Sequence, residues 1–284
     1  MAGPGRLLTP YGTARNARRR FTALAVAGSA PLCHAAGVST ILVTGGTGTL
    51  GRLTTVRLRA EGHEVRVLSR HAETYPVDLR TGDGLDAALD GVDTVVHCAS
   101  APRGDELAAR QLVAAARRAG VGHLVYISIV GVDRVPLGYY GAKRAVERLV
   151  EESGLGFTLL RTTQFHDLVL RLLRGMARSP LMPVPAGVPV QPVEAEEVAA
   201  RLSELAMGPP AGRVPEMGGP QILTFHDLAE LYLWASGRSR VRVPFTLPGA
   251  TFTALRRGGL LTPERRVGLR TFTEFLARSQ VGSG

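Results

Sequence analysis

Tyr139 and Lys143 stand four residues apart, and they are the pair in this chain best suited to move a proton. At that spacing on a helix the two side chains share one face. A phenol ordinarily titrates near ~10, and a neighbouring ammonium favours its phenolate form. Tyr139 could thereby exchange a proton with a carbonyl or alcohol near neutral pH. Ser128, eleven residues earlier at the carboxyl end of an apolar run, could hydrogen-bond the same oxygen. Tyr140 contests the assignment, since it stands three residues from Lys143. Catalysis, cofactor positioning without turnover and plain helix packing are all compatible with the pair.

A second group is made of glycine. The segment Thr44-Gly45-Gly46-Thr47-Gly48-Thr49-Leu50-Gly51 follows the apolar run Thr40-Ile41-Leu42-Val43 and opens a helical pattern. In a strand–turn–helix unit, Gly45 permits the tight turn and Gly48 lets the backbone approach a pyrophosphate. Gly51 lets the helix pack closely on the sheet. The helix N-terminus then offers free N–H groups and a positive dipole end to the phosphates.

The end of the next strand selects the dinucleotide. NAD-binding units usually place an acid there for the ribose 2′-hydroxyl. This chain has Leu68-Ser69-Arg70-His71, in which Ser69 and Arg70 could donate to a 2′-phosphate. NADP(H) is therefore expected in preference to NAD(H). By position, Asp78 and Leu79 are expected near the adenine, Ala99 and Ser100 beneath the ribose, and Lys143 against the nicotinamide ribose.

These residues need a scaffold, and the pattern supplies one. Short β-branched runs alternate with amphipathic helices, which predicts an α/β fold with a Rossmann-type, doubly wound parallel sheet. Strands are expected at 40–43, 65–68, 94–98, 124–127 and 157–160, with a short one ending around Val77-Asp78-Leu79. The first helix should turn Leu50, Leu53, Val56 and Leu58 inward; others are expected through Leu85–Leu89, over 107–119 and from about Tyr139 to Glu152. After residue 165 the rhythm changes. Five prolines between 180 and 192 predict an extended loop around short strands. Helices at 194–207 and 225–236, a strand at 241–244 and a helical region over 248–278 follow. The expected organisation is a leader at 1–37, an NAD(P)-binding core at 38–165 and a substrate-capping region at 166–284.

The glycine motif, with Tyr139-x-x-x-Lys143 about ninety residues on, resembles the short-chain dehydrogenase/reductase superfamily. Leu124–Lys143 and Leu160-Arg161-Thr162-Thr163-Gln164-Phe165-His166 resemble its atypical, NmrA-like NAD(P)H-binding branch, and the likeness covers about 39–240. It implies that Gln164, Phe165 and His166 border the nicotinamide and substrate, although a lone His is also an ordinary core residue. Two departures stand out. The gap from Ser128 to Tyr139 is short, and His97-Cys98-Ala99-Ser100 replaces the Asn-Ala-Gly of ordinary members.

Three functions fit this resemblance. The first is an NADP(H)-dependent oxidoreductase acting on a small carbonyl, alcohol or activated double bond, with Tyr139 as acid/base, Lys143 lowering its pKa and Ser128 orienting the substrate. The second is a non-catalytic redox sensor of the NmrA-like kind. The third is an epimerase or lyase that uses the cofactor transiently.

Composition excludes little but weights the rest. The formal charge is +10, yet five arginines (Arg6, Arg15, Arg18, Arg19 and Arg20) lie within the first forty residues, which hold no acid, and the remainder is dispersed. That reads as a solvated basic face, with no nucleic-acid partner expected. No run of ~18 apolar residues predicts a membrane span. Cys33 and Cys98 form neither a disulfide framework nor a metal-ligand spacing, and Glu194, Glu196 and Glu197 read as an acidic first helical turn. Hence no metal is expected. Arg18-Arg19-Arg20-Phe21 resembles a twin-arginine export leader, while a disordered leader or an upstream start leaves a cytoplasmic protein. Monomer and homodimer are equally compatible with this chain.

Overall fold

The structure is a computed structural model that describes residues 38–279 apart from Pro102; the expected leader and Cys33 lie outside the described residues. β1 (Thr40–Thr44), β2 (Glu64–Ser69), β3 (Tyr75–Pro76), β4 (Thr94–His97), β5 (His123–Ile129) and β6 (Phe157–Thr162) form a parallel sheet, completed by β9 (Gly212–Arg213). The spatial order is β3-β2-β1-β4-β5-β6-β9. Chain order therefore reverses between β1 and β4, whose carboxyl ends flank a crevice, the usual ligand position in such sheets.

Period-two alternation distributes the strands' apolar residues between two cores. Leu42, Leu68, Val95, Leu124 and Leu159 face α2 (Leu85–Leu89), α3 (Asp105–Arg118) and α4 (Gly138–Glu151). Ile41, Val43, Val65, Val96, Val125 and Leu160 face α1 (Thr49–Ala60) and α6 (Ala195–Met207). Full burial of each such side chain contributes about 1.5–3 kcal/mol.

On α1 the inward face differs from expectation. Leu50, Thr54 and Leu58 are buried at helical spacing, whereas Val56 is 60% exposed. Six residues of helix carry Val56 well round the cylinder from Leu50, so periodicity overrides its hydrophobicity. Thr54 is tolerated inside because its hydroxyl donates to the Leu50 carbonyl at 3.0 Å.

The third strand also differs, ending at Pro76, with Val77 and Leu79 buried in the loop beyond it. Nor does the chain change character cleanly at residue 165. α6 and β9 return to finish the sheet and cover it beside α1, because one helix cannot screen five apolar strands from water.

The rest forms a third core. α5 (His166–Met176), β7 (Leu181–Pro185), α7 (Phe225–Ser236) and α9 (Phe272–Arg278) pack together with Val132, Val135 and Tyr140. β8 (Pro189–Val190) pairs with β10 (Leu223–Thr224), and β7 with β11 (Val241–Phe245). The expected helical stretch over 248–278 is two short helices, α8 (Ala250–Arg256) and α9, joined by an irregular segment holding Pro263. No helix among the described residues is long and apolar enough to cross a membrane.

Candidate active site

The crevice begins with the glycines. Gly45 adopts φ +65°, and a Cβ there would meet the Ala99 backbone at 2.7 Å. A Cβ on Gly51 would run into the Gly45 carbonyl, so this glycine packs the helix on its own turn rather than on the sheet. Gly48 has only the Gly45 carbonyl oxygen near, 3.2 Å from an added Cβ, and its backbone opens to the crevice. Gly48 is also the N-cap of α1, and no side chain caps the helix. The N-terminal amides are thus left for a ligand.

A cavity of about 360 Å³ joins this turn to the ends of β2 and β4. Its walls include Gly45, Thr47, Gly48, Ser69 and Arg70, then Asp78 and Leu79, and on the far side Ala99, Ser100 and Asp105. Such a volume suits a small-molecule site. The Thr47 hydroxyl donates to Ser69 Oγ at 3.0 Å and ties the turn to the end of β2. Arg70 is exposed at the rim. Asp78, on the same wall, is gripped through both oxygens by Arg80, at 2.6 to 3.2 Å. Those bonds, with the Arg70 charge adding to them, hold the Asp78 carboxyl at about 2. A glycine cradle, an uncapped helix end and a basic rim are what a dinucleotide diphosphate with a 2′-phosphate requires, and the residues fit it.

Other members of the expected set do structural work. Thr44 is fully buried; its Oγ1 lies 2.7 Å from His97 Nδ1 and accepts from the Ala99 amide at 3.2 Å. Leu50 is in the core, and Thr49 is an exposed first-turn residue.

Beside the cavity, two of its wall residues, Ser100 and Asp105, meet two side chains that do not line it, Tyr139 and Lys143. Tyr139 Oη lies 2.6 Å from Ser100 Oγ, Ser100 Oγ donates to Asp105 Oδ2 at 3.1 Å, and Lys143 Nζ is 3.4 Å from the same carboxylate oxygen. Lys143 is buried, its ammonium 5.3 Å from the Tyr126 ring centre. Burial lowers its pKa, against the pull of Asp105. Tyr139 is raised by burial; its bond to Ser100 acts the other way, and the Asp105 charge raises it further. Lys143 was expected to lower the Tyr139 pKa, and the structure sets Asp105 against its ammonium at 3.4 Å. Asp105 takes up its charge, and partial burial favours the neutral phenol.

The contest between the tyrosines is resolved by helix geometry. Tyr140 is buried in the third core, where burial pushes its phenol up to about 12, while Tyr139 turns to Ser100. Ser128 lies elsewhere. It is 1% exposed, its hydroxyl has no hydrogen bond of good geometry, and it faces the Tyr126 phenol and the Glu147 carboxylate beneath α4. Its place beside the tyrosine is taken by Ser100, one strand over.

Gln164, Phe165 and His166 are not on the cavity wall. The Gln164 amide is near Tyr140, with its polar atoms buried and unpartnered. Phe165 packs on the core and bridges to Val193. His166 is fully buried, with Nε2 3.1 Å from the Arg270 carbonyl and its ring packed against Phe272 and Phe275. Burial lowers its pKa, and it behaves as a core histidine. Cys98, by contrast, is half-buried on the cavity wall, and burial pushes its thiol up to about 12.

Sequence reasoning missed Asp105. An acid just after Gly104 signals the first turn of a helix, but its pairing with a lysine on another helix has no local signature.

Residues 45–169 match the NAD(P)H-binding family. The chain is similar to (4-alkanoyl-5-oxo-2,5-dihydrofuran-3-yl)methyl phosphate reductase of Streptomyces griseus subsp. griseus, 32% identical over 201 residues that cover 66% of this chain and 70% of that protein. It is also similar to the NAD(P)H azoreductase of Xenophilus azovorans, 28% identical over 227 residues covering 74% and 78%. Among solved structures, the NADPH-dependent quinone oxidoreductase QOR2 of Escherichia coli, complexed with NADPH, superposes with a TM-score of 0.67 at 21% identity, over 84% of this chain and 98% of that one. That last likeness is one of fold.

Proposed function

Because this chain belongs to the NAD(P)H-binding family, we propose that it is an NADPH-dependent reductase of the atypical short-chain dehydrogenase/reductase type, acting on a small conjugated acceptor, a carbonyl or an activated double bond. The observation that carries this reading is one cavity walled by the glycine turn, by Ser69 and Arg70, and by Ser100 and Asp105. It offers a phosphate cradle at one end and a hydroxyl donor chain at the other. The names of the two relatives support the acceptor class, since an acyl oxo-dihydrofuran and an azo compound are both conjugated electrophiles.

Reduced nicotinamide supplies the hydride when bound. The chain's own residues do the rest. Amides at the start of α1 bind the diphosphate, and Arg70 with Ser69 bind the 2′-phosphate, a pairing that favours NADPH over NADH. Tyr139 gives its hydrogen to the oxygen or carbon anion that develops on the substrate, and Ser100 holds the phenol in place.

The test is to mix purified protein with NADPH and a panel of enones, quinones and azo compounds, following loss of reduced-nicotinamide absorbance. Oxidation that falls ~10²-fold or more in Tyr139→Phe supports the reading. Tight NADPH binding with no turnover across the panel would replace it with the sensor, and product formed at constant NADPH would replace it with the epimerase or lyase.

A further inference from the structure

The hydrogens of the Tyr139–Ser100–Asp105–Lys143 group can be assigned from geometry. A carboxylate has none to give, so the Ser100 hydroxyl donates to Asp105 Oδ2 at 3.1 Å. Ser100 then has only lone pairs left for its 2.6 Å contact, and the Tyr139 hydroxyl must be the donor there. Asp105 also accepts from the Ala101 amide and pairs with buried Lys143 at 3.4 Å. It can do all this because Gly104, at φ +85°, turns the chain so that α3 opens with Asp105 facing back towards the loop at 100–101. A side chain at Gly104 would also press on Arg80 Cδ, 3.0 Å from an added Cβ.

We propose that Asp105 is the positioning residue of this site: by taking the Ser100 hydrogen and neutralising Lys143, it fixes the hydroxyl chain in one direction and keeps Tyr139 in its acid form. The inference rests on the reductase reading above and adds the group that directs its acid. The proton balance is simple. The Tyr139 O–H bond breaks as an O–H or C–H bond forms on the substrate, whose two electrons come from the reduced nicotinamide. The phenolate then takes the Ser100 hydrogen, and Ser100, which is exposed, regains one from solvent.

The charged and titratable groups facing this chain are few. Tyr139 meets Asp105 from α3, Tyr126 from β5, and Tyr140 on its own helix. Lys143 meets Asp105, Cys98, His97 and Glu147, and stacks over Tyr126. Asp105 is the acid that acts on both Tyr139 and Lys143.

The experiment needs neither cofactor nor substrate. Protein carrying carbon-13-labelled tyrosine is titrated by NMR, with the Tyr139 signal assigned from Tyr139→Phe. In the native chain Tyr139 should stay protonated beyond the ordinary ~10 of a free phenol. In Asp105→Asn its midpoint should fall by about one pH unit or more, a tenfold change in acidity, because a negative charge is gone, Lys143 is uncovered and Ser100 is free to donate to the phenolate. Ser100 is exposed, so Ser100→Ala should fold readily and also lower the midpoint, because the neutral phenol loses the oxygen that accepts its hydrogen. A midpoint unmoved or raised in either variant overturns the proposal. Should Asp105→Asn not fold, the Ser100→Ala shift alone decides. If the shifts appear but no acceptor is ever reduced, the hydroxyl chain stands and the reductase reading is what fails.

Discussion

Lys143 and Glu147 stand one helical turn apart on α4, both buried, and each meets an opposite charge from another element. Their surroundings differ in kind. Glu147 is saturated: Arg161 donates to both carboxylate oxygens at 2.7 Å, and Arg144 and Arg213 add bonds at 2.9 and 3.4 Å. Arg161 in turn reaches Asp133 at 2.8 Å. Planar, two-pronged pairing of this kind fixes geometry, and here it clamps α4 to β6. Lys143 has one acid at 3.4 Å, and that acid and the Ser100 hydroxyl bonded to it lie on the wall of an open cavity, with the Tyr139 hydroxyl next in the chain. Closed charge networks hold a fold in place. A network that ends in movable hydrogens beside a cavity can do chemistry.

The largest expected effect tests the clamp. Glu147→Ala leaves the Arg161 guanidinium buried and short of its main partner, and should cost about 3–5 kcal/mol of stability. Urea unfolding would measure it, and a loss below about 1 kcal/mol would break the contrast. Tyr139→Phe should do the reverse, cutting turnover ~10²-fold or more while its unfolding midpoint moves by no more than the worth of one hydrogen bond, about 1 kcal/mol. A variant that lost stability and activity together would merge the two groups into one.

Arg70→Ala sharpens the cavity's other end. Calorimetric titration should find NADPH binding weakened by about tenfold or more, roughly the 1.4 kcal/mol of one charged hydrogen bond, with NADH little changed. Equal losses for both would remove Arg70 from the 2′-phosphate.

The remaining effect is on pH. Burial first, and then the Lys143 charge, lowers the His97 pKa to about 3. The unfolded chain therefore binds a proton near pH ~6.5 that the native chain refuses. Stability is complete above that pH and falls by about 1.4 kcal/mol per pH unit below it, until His97 itself protonates. His97→Gln should flatten this limb in urea midpoints taken between pH ~6.5 and ~4.5. The Glu147 limb lies lower. Burial alone would raise that carboxyl, but the Arg161 bonds, with help from Ser128 and Arg213, outweigh it and hold it below its ordinary value. Its stabilisation is present above the unfolded glutamate pKa and is lost as pH falls through the lowered one.

Local rules alone made the parallel sheet, the glycine turn and most helices legible. A β-branched run of four residues, a glycine every third position and a helical apolar stripe each act within a dozen residues, and those interactions are encoded where they occur. The glycine-turn end of the cavity, from Gly45 to Arg70, is readable from local pattern for that reason. The end proposed as catalytic is not, because residues 100, 105, 139 and 143 come together from separate segments of the chain.

Spacing put Tyr139 and Lys143 on one helix face, and only packing decided that the lysine would be neutralised by Asp105. Likewise Ser128 sits at the right strand end by sequence, yet strand alternation turns it beneath α4 towards Glu147, and Ser100 from the neighbouring strand stands beside the tyrosine instead. Sequence by itself fixed which chemical groups this protein owns and which ends of strands they occupy. Tertiary structure chose their partners, since hydrogen-bond direction and charge neutralisation depend on distances between elements that no local pattern records.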